Sequence, residues 1–393
     1  MSEKFDIVVY GATGYTGQLV AEYLAANYVG RGAPSWAMAG RSEDKLVSVR
    51  DAIGAPKDTP LIVADAANPE SLRAMVDQAK LVVTTVGPYQ LYGSDLLAAC
   101  VTSGTDYMDL CGEPIWLKQM IDRYEVAANA SGSRIMFSCG FDSIPFELGA
   151  FFVQEEARRV FGSAVPRVKG RVRDISWKFS GGTSASARMT FEAVAQDLSL
   201  VSILKDPFAF TPGFEGPKQP RGNKPVFEED LQSWSAPFAM AILNTRNVHR
   251  SNMLMGFPYG RDFVYDEMVL TGAGDQGLSN AKLVMAANSE KTGPDALKLG
   301  DGPSKEERDH GHYDLLYVAV APDGRQVRAA VRGDLDPGYA STAKMISECA
   351  ICLLRDASDV PAGLWTPGAA MQHKLIKRLV DNAGLTFEVE TRA

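Results

Sequence analysis

The sequence has 393 residues, 46% apolar and 22% charged, the composition of an ordinary globular protein with core enough for two or three domains, not of a disordered chain. Forty basic residues against 48 acidic ones leave a formal charge of -8, the wrong sign for non-specific attraction to nucleic acid or anionic lipid. No run approaches the length of a membrane span, the N-terminus lacks the basic-then-apolar order of a signal peptide, and five cysteines suggest no disulfide framework. A soluble cytoplasmic protein is expected.

From Phe5 to about Cys139 short β-branched runs alternate with longer amphipathic ones, the pattern of βαβ units around a parallel sheet. Strands are predicted at Phe5–Tyr10, Trp36–Ala39, Leu61–Ala64, Leu81–Val86, Tyr107–Leu110 and Arg134–Ser138. Helices are predicted near Thr16–Asn27, Glu43–Ile53, Pro69–Gln78, Ser94–Ser103 and Ile115–Ala130. After Phe146 the texture changes. Arg167–Lys178 alternates like a half-exposed strand, Ser184–Leu204 reads as a helix, and the Pro/Gly-rich segment Asp206–Glu229 is a loop or lid. Tyr313–Val320 and Gln326–Gly333 flank Pro322-Asp323-Gly324 and predict a hairpin, and the end, Ala340–Leu354 and Met371–Ala383, reads as helical. Cys349 and Cys352 fall inside the first of those helices as packing residues, and no histidine spacing makes a metal site.

The first strand runs directly into Gly11-Ala12-Thr13-Gly14-Tyr15-Thr16-Gly17 and then a helix. Glycines at such a junction let the backbone approach a pyrophosphate, while the helix N-terminus supplies N–H groups and partial positive charge. Thr13, Tyr15 and Thr16 join the three glycines as cofactor candidates. In NAD sites the second strand ends in an acid that binds ribose hydroxyls; here it ends in Gly40-Arg41, with Lys45 one turn on. A guanidinium there grips a 2′-phosphate, so NADP is preferred. Asp65, closing the third strand, is a candidate for the adenine edge. Val86, Gly87, Pro88 and Tyr89, closing the fourth, fall where such sheets hold the nicotinamide half. A short-chain dehydrogenase would need Tyr-x-x-x-Lys, and none of the thirteen tyrosines has a lysine four residues later.

Motifs beyond the glycine loop carry a more specific likeness. AGR at Ala39, VGPY at Val86, DLCGE at Asp109, GFDSIP at Gly140, APFAMAILNTRNVHRSN from Ala236, GPSKEER at Gly302, DPGY at Asp336 and TPGAAM at Thr366, together with GATGYTG, resemble the saccharopine dehydrogenase-like oxidoreductases. The resemblance is to the branch of trans-acting enoyl reductases. It implies an α/β protein with a Rossmann-type NADP domain over residues 1–145, a mixed α/β substrate or dimerisation domain over 146–339, and a C-terminal helical segment, 340–393, returning to the first. Two departures stand out: Cys111 where a small or hydroxylated residue is usual, and Phe146-Glu147 where a Ser-Asp pair is common.

The function so implied is NADPH-dependent reduction of a C=C bond in an apolar or acyl substrate. The alternatives are a saccharopine-type C=N reductase or dehydrogenase and a non-catalytic, NADP-bound lipid-associated regulatory protein. A carrier-bound substrate and a homodimer are compatible with the resemblance, and the charge gives peripheral membrane contact no support. Reduction needs a proton as well as a hydride. Tyr89, Asp109, Glu113 and Asp142, at predicted strand ends on the cofactor side, are the candidate donors. Arg188, Arg246 and Arg250 are candidate substrate anchors. Phe238, Met240, Leu243, Met253, Leu254, Met255 and Phe257 are expected to wall the cleft, with Pro207–Pro225 as its cover.

Overall fold

The computed structural model describes residues 4–176, 181–290 and 302–392. The first part of the chain alternates β1 (Phe5–Tyr10), α1 (Tyr15–Asn27), β2 (Trp36–Gly40), α2 (Glu43–Ala52), β3 (Leu61–Val63), α3 (Pro69–Val76), β4 (Ala79–Thr84), α4 (Tyr89–Tyr92), α5 (Ser94–Ser103), β5 (Asp106–Met108), α6 (Pro114–Ser131) and β6 (Arg134–Met136). It continues through α7 (Ile144–Phe161), β7 (Arg167–Ile175), α8 (Gly181–Gln196), α9 (Val201–Lys205), β8 (Val226–Glu228), β9 (Ser233–Pro237), α10 (Ala241–Leu254), β10 (Val264–Gly272) and α11 (Gly274–Glu290). The remainder holds α12 (Lys305–Asp309), β11 (Tyr313–Val320), β12 (Gln326–Gly333), α13 (Thr342–Arg355), β13 (Gly363–Trp365), α14 (Pro367–Asn382) and β14 (Leu385–Arg392).

Two seven-stranded sheets result. The first runs β13-β6-β5-β4-β1-β2-β3, all parallel, with Ile7 opposite both Trp36 and Leu81. Its strand order reverses between β1 and β4, and that switch opens a crevice beyond their carboxyl ends. Val8, Val9, Val82 and Val83 are buried because helices cover both faces. The second sheet runs β14-β12-β11-β7-β10-β9-β8 and is antiparallel except for the β7–β10 pair. α7 crosses one face of it, where the Tyr317 hydroxyl donates to the Pro145 carbonyl at 2.8 Å. One apolar core runs from Ile7 and Val9 through Phe146, Cys349 and Cys352 to Tyr317 and Leu375.

The α/β architecture and the βαβ series are as the sequence predicts, with differences at the edges. Strand β4 begins and ends two residues before the predicted run, because Ala79 pairs with Phe5 and Thr84 with Tyr10. The Ser184–Leu204 helix is broken at Asp197, whose side chain accepts from Ser199 N and starts a separate 3₁₀ turn. Asp206–Glu229 is irregular apart from β8 at its end. The chain's last element is not a helix: β14 follows α14 and pairs with β12. Trp177 and Lys178, the end of one predicted strand, lie outside the described residues. Among the described residues no helix is long and apolar enough to cross a membrane.

Candidate active site

At the glycine loop the backbone itself is the binding surface. Gly11 has φ +88°, a left-handed conformation that favours glycine, and a Cβ there would lie 2.7 Å from the Val86 side chain. A Cβ at Gly17 would overlap the Gly11 carbonyl, so α1 packs directly on the turn. The N-cap of α1 is Gly14, with no side-chain cap and no acid in the first turn. Its leading N–H groups are therefore left for an anion. Thr13 lies beside the loop, its carbonyl accepting from Gln18 Nε2 at 3.1 Å.

Beyond β2, Arg41 and Lys45 are exposed, and neither makes an ion pair among the described residues. Ser42 caps α2, its hydroxyl accepting from Lys45 N at 3.4 Å. Asp65 is engaged in its own turn, accepting from Ala67 N at 3.0 Å. Val86 and Gly87 are half-buried beyond β4, and Pro88 and Tyr89 are buried. Open backbone donors plus free cations at the end of β2 fit a dinucleotide bearing a 2′-phosphate.

The four candidate donors separate sharply once their contacts are seen. Tyr89 is buried; its hydroxyl accepts from Leu110 N at 3.1 Å and faces the Thr84 carbonyl at 3.3 Å. Burial holds it far above the usual phenol range. Asp109 is fully buried between β5 and β6, accepting from Tyr107 Oη at 2.9 Å, Cys111 N at 3.0 Å and Ser138 N at 2.9 Å. Burial pushes it up to about 7, but its contacts tie two strand ends together. Glu113 is a cap: its carboxylate accepts from Tyr89 N at 2.8 Å and Gln90 N at 2.9 Å at the start of α4, and from Ser186 Oγ at 2.7 Å on α8.

Asp142 differs from the others. It is half-buried beyond β6, and desolvation raises it to about 7. Its neighbour is Asn244 of α10, whose Nδ2 lies 3.5 Å from Asp142 Oδ1 and 3.1 Å from Glu267 Oε2 on β10. The other end of that amide accepts from Ser143 Oγ at 2.8 Å, and Ser143 in turn accepts from Asn247 Nδ2 at 2.8 Å. Ser143, Asn244, Asn247 and Glu267 are all buried, and burial raises Glu267 well above the carboxylate range.

Matches to known proteins agree with this geometry. The saccharopine dehydrogenase NADP binding domain family matches residues 7–136. A trans-acting enoyl reductase of Mycobacterium leprae is 34% identical over 96% of this chain and 96% of its own. A second relative, from Mycobacterium tuberculosis, is 38% identical over 96% of this chain and 95% of its own. The chain belongs to the trans-acting enoyl reductase branch of the saccharopine dehydrogenase-like family. Among solved structures, apo saccharopine dehydrogenase (L-Glu forming) of Saccharomyces cerevisiae shares the fold, with TM-score 0.57 at 11% identity over 99% of this chain and 100% of that one. The family match makes this an NADP-dependent oxidoreductase, and the glycine loop falls within the matched residues.

For this family member, the three expected substrate anchors sit in different surroundings. Arg188 is 58% exposed and faces Glu192 at 3.7 Å, one turn along α8. Arg246 is buried, but its guanidinium donates to the Ile203, Leu204 and Ile242 carbonyls. Arg250 is held by Glu125 at 3.1 Å and by the Phe210 and Leu364 carbonyls. Arg246 and Arg250 are thus already engaged within the fold, by backbone carbonyls and by Glu125. The expected apolar wall also splits. A Cβ on Gly112 would sit 3.9 Å from both Met240 and Leu243, and Phe238 packs on Phe146 with ring centroids 5.7 Å apart. Met253, Leu254, Met255 and Phe257 instead lie at the far end of α10, roughly 15–20 Å along a helix that rises 1.5 Å per residue.

The partners of Asp142 escaped the sequence reading in different ways. Asn244 shares a helix with the candidate anchors Arg246 and Arg250, but nothing in the sequence links that helix to Asp142. Glu267 had one available signal, the Asp266-Glu267 pair inside an otherwise apolar run.

Proposed function

We propose that the protein reduces the C=C bond of an apolar acyl substrate with NADPH, and that Asp142 is the proton donor. The observation that carries the reading is the half-buried Asp142 carboxyl, raised to about 7 and reached by an Asn244 amide that buried groups hold in place. NADPH, when bound, supplies the hydride to one carbon of the double bond. Asp142 gives its proton to the other carbon, and solvent at the cleft restores it. Asn244 bonds to the carboxylate left behind and stabilises it. Tyr89, Asp109 and Glu113 serve the site by fixing the loops after β4 and β5.

Phe238, Met240 and Leu243, against Gly112 and Phe146, supply an apolar wall, which suits an acyl chain better than a substrate with several carboxylates. α8 would cover the mouth, tied to the cofactor domain by Ser186–Glu113 and by Gln90 Nε2 donating to Thr190 Oγ1 at 3.3 Å. In this reading residues 1–145 bind cofactor, 146–339 shape the substrate cleft and 340–393 clasp the two. We propose delivery of the acyl group on a carrier, because relatives are named trans-acting. A cytoplasmic setting suits five cysteines that are all free and buried.

The test is rapid mixing of NADPH-loaded protein with enoyl thioesters, free or carrier-bound, and with cyclic imines. Loss of nicotinamide absorbance with the enoyl compounds alone is expected. Turnover of imines alone would replace the reading with the C=N alternative, and no turnover with any compound would favour a non-catalytic cofactor-bound protein.

A further inference from the structure

Two motifs, GPSKEER and DPGY, take no part in the proton transfer proposed above, yet both converge on one side chain of the phosphate loop. Tyr15 opens α1. Its hydroxyl donates to the Pro303 carbonyl and accepts from Arg308 Nη1 at 2.7 Å, while the same Nη1 also reaches the Pro303 carbonyl at 2.9 Å. The guanidinium carbon stands 5.5 Å from the centre of the Tyr15 ring. Tyr339 meets that ring edge-on, with centroids 5.1 Å apart, and a Cβ on Gly302 would overlap it. A segment remote in sequence is thus built around the first residue of the cofactor helix.

The acids around Arg308 have other hydrogen-bond partners. Asp336 accepts from Tyr339 N at 3.0 Å and Ala340 N at 2.7 Å, Glu307 accepts from Ser304 N at 2.9 Å, and Asp309 pairs with Lys305. Arg308 makes no ion pair among the described residues. Asp336 and Asp309 feel its charge, so what Arg308 offers the α1 N-terminus, which carries neither cap side chain nor acid, is its hold on Tyr15.

We infer that Arg308 is a positioning residue for the cofactor. Through Tyr15 it fixes the first turn of α1 in the geometry that presents the Tyr15, Thr16 and Gly17 N–H groups to the pyrophosphate. The inference rests on the glycine loop as the NADP site and is independent of the substrate or the proton donor.

The test is titration of NADPH, NADH and ADP-ribose into the full chain, since all three carry the pyrophosphate and only one carries the 2′-phosphate. Arg308→Ala should weaken all three by a similar factor of about five, the scale of one ordinary hydrogen bond lost indirectly. Arg308→Lys should recover most of the loss. Tyr15→Phe, which keeps the ring, should weaken all three, and the double variant should bind within about twofold of Arg308→Ala because both act along one path. Turnover at saturating NADPH should hold while KM for NADPH rises. Unchanged affinities would overturn the inference, as would a loss confined to NADPH, a lysine variant no better than alanine, or a melting temperature of the ligand-free protein that falls with the affinities.

Discussion

Arg41, beyond β2, stands in solvent without an ion-pair partner among the described residues, whereas Asp142, beyond β6, shares its cleft with the buried Ser143, Asn244 and Glu267. The two follow strands on opposite sides of the β1–β4 switch in the first sheet and are built on opposite terms. Arg41 is charged whatever surrounds it, and its value to a ligand is limited by water and salt. Asp142 has a protonation state that its surroundings decide, so a small change in packing changes what it can do. Affinity is therefore expected to reside at the exposed end and reactivity at the buried one.

Replacing Asp142 by asparagine, which keeps the shape and removes the proton, should lower turnover at least about 100-fold, the usual span for a general acid. NADPH affinity should hold. Equal loss of both would show that the two ends are not separate. The same group sharpens the contrast through pH. Its pKa is raised from 3.8 to about 7, so the folded state holds a proton that the unfolded state has released between those values. Its contribution to stability is present below the lower value and is lost as pH rises through the upper one. Turnover should fall over the same upper limb, and a profile flat above pH 7 would remove Asp142 from the donor role.

At the exposed end, Arg41→Ala should weaken NADPH more than tenfold through the loss of charge-assisted bonds, and NADH much less. Calorimetry that finds both weakened alike would take the 2′-phosphate away from Arg41. The smallest effect is expected at Arg188. With 58% of its side chain exposed and Glu192 its neighbour at 3.7 Å, Arg188→Ala should leave substrate KM within about twofold, as for an ordinary surface pair. A larger rise would mean that α8 presents this side to substrate.

The same contrast explains what could be read in advance. The glycine loop, Arg41 and the parallel strands are local: Phe5–Tyr10 is a strand covered on both faces, and a Gly-rich turn before a helix has one common use. Asp142 was legible as a candidate but not as distinct from Asp109 and Glu113, because all three follow strands and only their partners separate them. Those partners come from α10, β10 and α8, which no local pattern links to the loop after β6. β14 was within reach. Leu385, Phe387 and Val389 alternate, but Glu388 and Glu390 between them pair with Arg332 across the sheet, a compensation visible only after folding.

That last strand has a consequence for how the molecule is assembled. Residues 363–392 supply β13 to the edge of the first sheet, beside β6, and β14 to the edge of the second, beside β12. During synthesis β6 and β12 must wait with one side unpaired until this stretch leaves the ribosome. The two outermost strands come from one covalent segment, with α14 between them. Completion of the first sheet and of the second is then a single event, and a chain stopped before Gly363 would leave β6 and β12 as the edge strands instead.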